Sequence, residues 1–264
     1  MKKSPLLKSF LICTLLCIFI PMLLVLLWSF VARWPWPDLT PAKYSLRTLN
    51  DLLFRSKKLV QLLGSSVLLA SVSAVICTLI GIMTARATEL YSIRIKKLIY
   101  FGALLPLLIP GTVFAIGIHI VFIRLGLTDT WFGVLLCHVI AAVPYCITIM
   151  TDLTASLGDR LEEQAMVLGA NPFRAFFAVS LPGLWPGILS SMSMAFILSY
   201  SQYFTTLLIG GGKIKTIALV LVPYIQSGDR SLSSIYSMVY VLSALAIFFI
   251  IEFFLHLSMK RGES

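Results

Sequence analysis

The chain has 264 residues, of which 59% are apolar and 12% charged, and its net charge is +10. Soluble domains carry about 25% charged residues, so this composition excludes an ordinary water-soluble fold. No polar stretch is long enough for a separate catalytic domain, and no basic-aromatic module for nucleic acid is visible.

A helix needs about 20 apolar residues to cross a hydrocarbon core about 30 Å thick. Six runs qualify, at about 9–31, 62–85, 98–122, 131–150, 186–209 and 233–256. Runs this long satisfy their backbone in lipid as helices. The expected fold is an all-α polytopic membrane protein with six transmembrane helices. The first run follows Lys2, Lys3 and Lys8 and continues past Pro21 to Val31. It is too long for a cleaved signal and lacks a small-residue cleavage site, so it reads as a retained signal anchor. Trp34 and Trp36 fit an interfacial aromatic belt. The Pro-rich stretch WPWPDLTP comes next, then an amphipathic helix expected over 48–60 on the outer surface.

With the N-terminus inside, Lys and Arg divide eleven inside against ten outside, which decides nothing. Short loops and the first helix carry the charge rule. Lys2, Lys3 and Lys8 before the first span, and Arg94, Lys96 and Lys97 before the third, favour N-in. Six spans then put the C-terminus and the 151–185 loop inside too.

Span three contains LLPLLIPGTV. Pro106 and Pro110 lack an N–H and free the carbonyls of Gly102 and Pro106, which predicts a kink. Broken backbone at membrane depth faces protein or a watery cavity. A packing kink and a cavity-lining break both remain open here.

The 159–187 segment, DRLEEQAMVLGANPFRAFFAVSLPGLWPG, is a polar and amphipathic insert. Asp159 suits an N-cap, and Glu162 three residues on completes a capping box. Gly169 suits the positive-φ C′ position that ends the helix. Asn171 caps a second helix, and Pro172 fits its first turn. Phe173, Phe176, Phe177 and Ser180 are expected on one face. Leu181 is pushed out of the α region by Pro182, so the second helix should stop there. An amphipathic elbow lying on the membrane surface would show the same helices.

Span five holds Ser199, Tyr200, Ser201, Gln202, Tyr203, Thr205 and Thr206 in its outer half. So much polarity should face the bundle interior. Ser190, Ser193, Ile197, Tyr200, Ser201 and Phe204 recur at i, i+3, i+4 spacing. They fit interhelical hydrogen bonding and pathway lining equally. The GGGK run is no phosphate loop, since Leu207 occupies the place of the first Gly and Ile214 follows Lys213. It reads as a flexible outer loop. Intramembrane ionisable groups default to functional suspects, but His119 and His138 read as hydrogen-bonded structural histidines. Glu252 and His256, one turn apart, are expected to pair. Cys13, Cys17, Cys77, Cys137 and Cys146 lie in apolar runs without CxxC spacing and read as small buried hydrophobes, not disulfides or metal ligands.

The 159–187 segment resembles the cytoplasmic EAA loop of permease subunits in binding-protein-dependent ABC importers. Glu163, Gln164, Ala165, Gly169, Val179, Leu181 and Pro182 match its spacing without a gap. Gln164 departs, standing where the family usually has Ala. The P-x-x-x-P-G-T-V string of span three is similar to the polyamine, iron, thiamine and sulfate/molybdate branch, as is, more loosely, the segment after the Gly run.

The resemblance implies a type I importer permease: an anchor and outer segment over 1–59, a five-helix core over 60–256 and a cytoplasmic tail over 257–264. It implies that the 159–182 elbow docks in a cleft of an ATPase subunit, with Glu163, Gln164, Ala165, Gly169, Ala170, Val179, Leu181 and Pro182 coupling the two. Ser193, Ile197, Tyr200, Ser201, Gln202 and Phe204 would line the translocation path, and Pro106 and Pro110 would kink span three. The chain would be non-catalytic and without cofactor, ATP–Mg being held by the partner. Expected partners are two ABC ATPases, a second permease (identical or different), an extracytoplasmic solute-binding protein and the bilayer of the cell inner membrane, and no nucleic acid. The implied substrate is a small solute such as a polyamine, thiamine, iron(III) or an oxyanion. A secondary transporter or channel would need a mid-membrane ion-coupling site, but no Asp or Glu sits in a span centre. An intramembrane enzyme would need HExxH, GxSxG or paired aspartates, and none is present.

Overall fold

A computed structural model describes residues 5–33, 43–44, 50, 57–91 and 93–262, without the side chains of 5–7, 32–33, 43, 57 and 254–262. Trp34, Trp36, WPWPDLTP, most of the helix expected over 48–60 and the His256 side chain lie outside the described residues. In chain order the elements are α1 (Pro5–Ser29), the short antiparallel strands β1 (Val31–Arg33) and β2 (Lys43–Tyr44), α2 (Lys57–Leu90), α3 (Lys96–Leu108) and α4 (Gly111–Arg124). Next come α5 (Trp131–Leu157), α6 (Arg160–Val167), α7 (Pro172–Ala175), a π turn (Phe176–Ser180), α8 (Leu181–Tyr200), α9 (Phe204–Gly210), α10 (Ile217–Gln226) and α11 (Arg230–Gly262).

Among the described residues, Lys8–Ser29, Lys58–Leu90, Trp131–Leu157, Pro172–Tyr200 and Arg230–Phe253 are long and apolar enough to cross a membrane. The pair α3 and α4, bent by 108°, makes a sixth if taken as one span. The break has one cause rather than the two expected. Pro106 sits inside α3, whereas Ile109 is extended (ψ 132°) ahead of Pro110, as the pre-proline position requires.

Span five also differs from expectation. The helix stops at Tyr200 and resumes as α9. Gln202 holds the intervening turn: its Oε1 accepts from the Thr205 hydroxyl (3.0 Å) and its carbonyl from the Thr206 hydroxyl (2.7 Å). The same polarity that marks this run thus interrupts its helix. The stretch after the Gly run, which lies outside the six apolar runs read from the sequence, contains the apolar helix α10.

The chain divides into two compact units, one of residues 1–62 and 220–243, the other of 63–219 and 244–264. In the first, α1 exposes an apolar surface, including Cys13 and Cys17. The Arg230 guanidinium lies 5.5 Å over the Trp28 ring, and Tyr224 stacks on Tyr236 at 5.2 Å.

In the second unit α5 packs along α8, and α9 packs on α4 and α5. Ala85, Met150, Leu184 and Ile188 form a buried cluster, against which Ile82, Leu153, Phe176, Leu181, Trp185 and Met192 pack. Cys77, Cys137 and Cys146 are buried and form no disulfide, so the burial expected of all five cysteines holds for these three. The Cys77 thiol donates to the Val139 carbonyl (3.6 Å) and that of Cys146 to Ser191 (3.5 Å). The GGGK run, expected to be flexible, is an ordered turn. Asp129 N–H donates to Ile209 O (2.7 Å), and the Lys213 ammonium pairs with the Asp129 carboxylate (3.0 Å). Gly211 (φ 52°) lies so close that a Cβ would meet Asp129 Oδ1 at 1.9 Å.

Candidate functional site

The elbow is built by its caps. At the end of α6, Gly169 N–H donates to Met166 O and Ala170 N–H to Ala165 O, each at 3.0 Å. With Gly169 at φ 94° this is a Schellman motif. Two of the expected coupling residues, Ala165 and Ala170, are therefore the ends of one hydrogen bond. Asn171 caps α7 as expected, its Oδ1 accepting from Arg174 N–H (2.7 Å).

Two local expectations fail. Asp159 precedes α6 but makes no side-chain cap, and Glu162 does not reach back. Its carboxylate is taken up by Arg86 of α2, in a bidentate pair at 2.8 and 3.0 Å. Nor does the second helix stop at Leu181, which is helical (φ −60°, ψ −43°) and donates to Phe176 O, five residues back. The wider π turn carries the chain past Pro182, whose ring would clash with the carbonyl four residues earlier in an α-helix. That turn also splits the expected aromatic face. Phe176 and Ser180 turn inward, while Phe173 and Phe177 are exposed.

Arg86 joins the halves of the elbow. Besides pairing with Glu162 it lies 4.5 Å over the Phe176 ring, and the Ser180 hydroxyl donates to Glu162 Oε2. Burial raises the Glu162 carboxyl, but the Arg86 and Ser180 hydrogen bonds and the Arg86 charge bring it below its ordinary value. Among the described residues, the outer side of the elbow carries no such ties. Val167 is 88% exposed, Leu168 87% and Phe173 78%, and Glu163 and Gln164 are exposed beside them. Val179 and Leu181 are half-buried, the latter against the core cluster, and Pro182 is exposed.

The α3–α4 break opens onto a cavity of about 510 Å³. Pro106, Thr112, Phe114, Tyr145, Gln202 and Phe204 are among its lining residues, so the cavity brings together two regions 90 residues apart in sequence. Among the described residues that line it, none is charged. Of the other residues expected on the path, Ile197 and Ser201 are exposed, Ser193 is half-buried, and Tyr200 is 3% exposed and stacked on Phe196 at 5.4 Å. Tyr200 is thus part of the packing.

His138 is the polar centre of α5, with Nδ1 2.8 Å from Ser199 Oγ and Nε2 2.9 Å from Thr206 Oγ1. The expected structural histidine is borne out there; His119 is half-buried on α4, and Glu252 is exposed on α11. Sequence reasoning missed Arg86, Ser180 as a donor, and Ser199 and Thr206 as the histidine's partners. The one local signal was a lone cation four residues from the end of a span.

The protein-family profile described as "Binding-protein-dependent transport system inner membrane component" matches residues 77–261. The putrescine transport system permease protein PotI of Escherichia coli (strain K12) is 24% identical over 223 residues, covering 80% of this chain and 76% of that one. The spermidine/putrescine permease protein PotC of the same strain is 25% identical, covering 73% and 71%. The molybdate/tungstate permease protein WtpB of Pyrococcus abyssi (strain GE5 / Orsay) is 25% identical, covering 78% and 81%. A chain from the crystal structure of a bacterial ABC transporter involved in import of the acidic polysaccharide alginate superposes with a TM-score of 0.69 at 17% identity, covering 97% of this chain and 95% of that one.

Proposed function

We propose that this chain, which belongs to the binding-protein-dependent transport system inner membrane component family, converts movement of partner ATPases into transport through its elbow. It is a transmembrane permease of an ABC transporter. ABC importers of this family work with ATPases and a binding protein. For this chain the proposal is two cytoplasmic ATPases holding ATP–Mg, a second permease, identical or different, and a solute-binding protein on the outer face of the cell inner membrane. The N-terminus, the C-terminus and the elbow then lie on the cytoplasmic side. The substrate is a small solute: the relatives' names favour a polyamine or an oxyanion, and the branch resemblance adds thiamine and iron(III).

One observation carries the reading. The Schellman-closed elbow presents Glu163, Gln164, Val167, Leu168 and Phe173 outward, while Phe176 and Leu181 on its inner side pack on the bundle core. Such an apolar tip, rimmed by polar residues, marks an interaction site. Gly169→Val tests it cleanly. A Cβ there would touch nothing within 4 Å, so the change acts only through the backbone, at about 1 kcal/mol or more. Gly169→Val and Glu163→Lys should insert at normal levels and lose ATPase co-purification or uncouple hydrolysis, while Gln164→Ala should be nearly silent. Full ATPase binding and normal transport by Gly169→Val would remove the elbow from the mechanism.

A further inference from the structure

We infer that Arg86 is a positioning residue through which the elbow moves α2, and with α2 the rest of the bundle; this rests on the elbow reading above. The elbow needs such a tie. Its first helix, α6, buries none of its eight residues, so packing alone holds it weakly. The Arg86 guanidinium meets α6 through Glu162 and the π turn through Phe176. Ser180, donating to the same carboxylate, closes the three-element node.

The pair is suited to transmit a push. A bidentate Arg–carboxylate contact fixes direction as well as distance. The two side chains are only 17% and 12% exposed, so solvent screens them little. From Arg86, α2 runs toward its other end as one unbroken helix. On the way, the Cys77 thiol bonds the Val139 carbonyl of α5. Further on, Ser66 Oγ accepts the Ile217 N–H (2.8 Å), at the first residue of α10. A displacement of Glu162 by the ATPases therefore reaches α5 and the start of α10 through bonded contacts. A loop without this node would let α6 swing on its Gly169 hinge and leave α2 in place.

The test uses the assembled complex of the full chain with its ATPases in nanodiscs, with Cys13, Cys17 and Cys137 replaced, the buried Cys77 and Cys146 kept, and Thr112→Cys placed in the cavity lining as reporter. The readout is the change in maleimide labelling when ATP and vanadate are added. The parent should respond. Arg86→Ala should keep its ATPases bound and lose the response about tenfold, within the usual range of coupling between sites. Glu162→Gln, which keeps shape and removes charge, should lose it similarly and decides the matter should Arg86→Ala fail to insert. The swapped pair Arg86→Glu with Glu162→Arg should recover the response. A full response in Arg86→Ala or Glu162→Gln overturns the role of Arg86. So does a swapped pair that inserts normally yet stays unresponsive, because the node would then be merely structural. A parent that binds ATPases without responding overturns the elbow reading itself, which is a different result.

Discussion

His138 offers the sharpest separation of strut from machinery. Its hydrogen bonds fix the tautomer. Thr206 Oγ1 already donates its one proton to Gln202 O at 2.7 Å, so it accepts from Nε2–H, and Nδ1 accepts from the Ser199 hydroxyl. The ring thereby joins α5, α8 and α9 at the point where span five breaks. Side-chain hydrogen bonds between membrane helices are worth about 0.6 kcal/mol each, up to about 1.7, so the two together contribute about 1–3 kcal/mol. Truncation to Ala adds a cavity, a further loss of about 2 kcal/mol for a ring smaller than Phe. His138→Ala should therefore cost about 3–5 kcal/mol and His138→Phe, which refills the space, about 1–3. At about 2–4 °C per kcal/mol for a chain of this size, the midpoint falls by roughly 10 °C for Ala and half that for Phe. Thermal unfolding of the detergent-solubilised protein, followed by intrinsic tryptophan fluorescence, reads both. A Phe variant as stable as the parent would show that the two bonds contribute nothing. An Ala variant of normal stability whose complex no longer responds to ATP would make His138 part of the transport cycle.

At the turn after α9, Gly211→Val should displace Asp129 and cost about 1–2 kcal/mol through its left-handed backbone, seen as faster proteolysis near residue 211. Lys213→Ala removes only an exposed pair and should stay within about 0.5 kcal/mol. Gln202→Trp should obstruct the cavity and block ATP-driven uptake at normal membrane levels, whereas Ser201→Trp, outside the lining, should be tolerated; the opposite ranking would move the path elsewhere. In a cysteine-free background, Asn171→Cys should react with impermeant maleimide only when the inner face is opened, and Lys215→Cys from outside; reversed access would invert the topology. Because the Glu162 carboxyl is held below its ordinary value, its pairing is complete above the ordinary carboxylate range and is lost only as pH falls through the lowered value. Nucleotide-driven labelling should thus be flat across neutral pH, and a transition there would implicate another group.

Features governed by neighbours along the chain were legible in the sequence. Gly169 ends α6 at positive φ and Asn171 caps α7, because a cap needs only residues three or four positions away. Pro110 breaks span three for the same local reason. The long apolar runs gave α1, α2, α5 and α11 because lipid leaves the backbone no alternative to helix. Each miss has a competitor. Leu181 before Pro182 read as a stop, but the inward packing of Phe176 and Leu181 on the core cluster favours a continuous helix, and one extra residue per turn removes the proline clash. Gln202 read as one polar residue among several, yet its two acceptors are what hold the turn between α8 and α9.

Arg86 shows why the rest stayed hidden. Alone, an arginine near the end of a span reads as an interfacial anchor, and Glu162 three residues after Asp159 reads as half of a capping box. The second reading is worth about 1 kcal/mol at a solvated helix end. A bidentate contact shielded from water outweighs it, since charge-assisted pairs are roughly twice as strong as neutral hydrogen bonds and an uncompensated Arg86 would be costly to bury. The partner that decides between them is 76 positions away, and nothing in either segment names it. Motif spacing could place the elbow, because the motif is local. It could not show what the elbow is fastened to, and in the proposed mechanism that fastening sets which helix would move when the elbow is pushed.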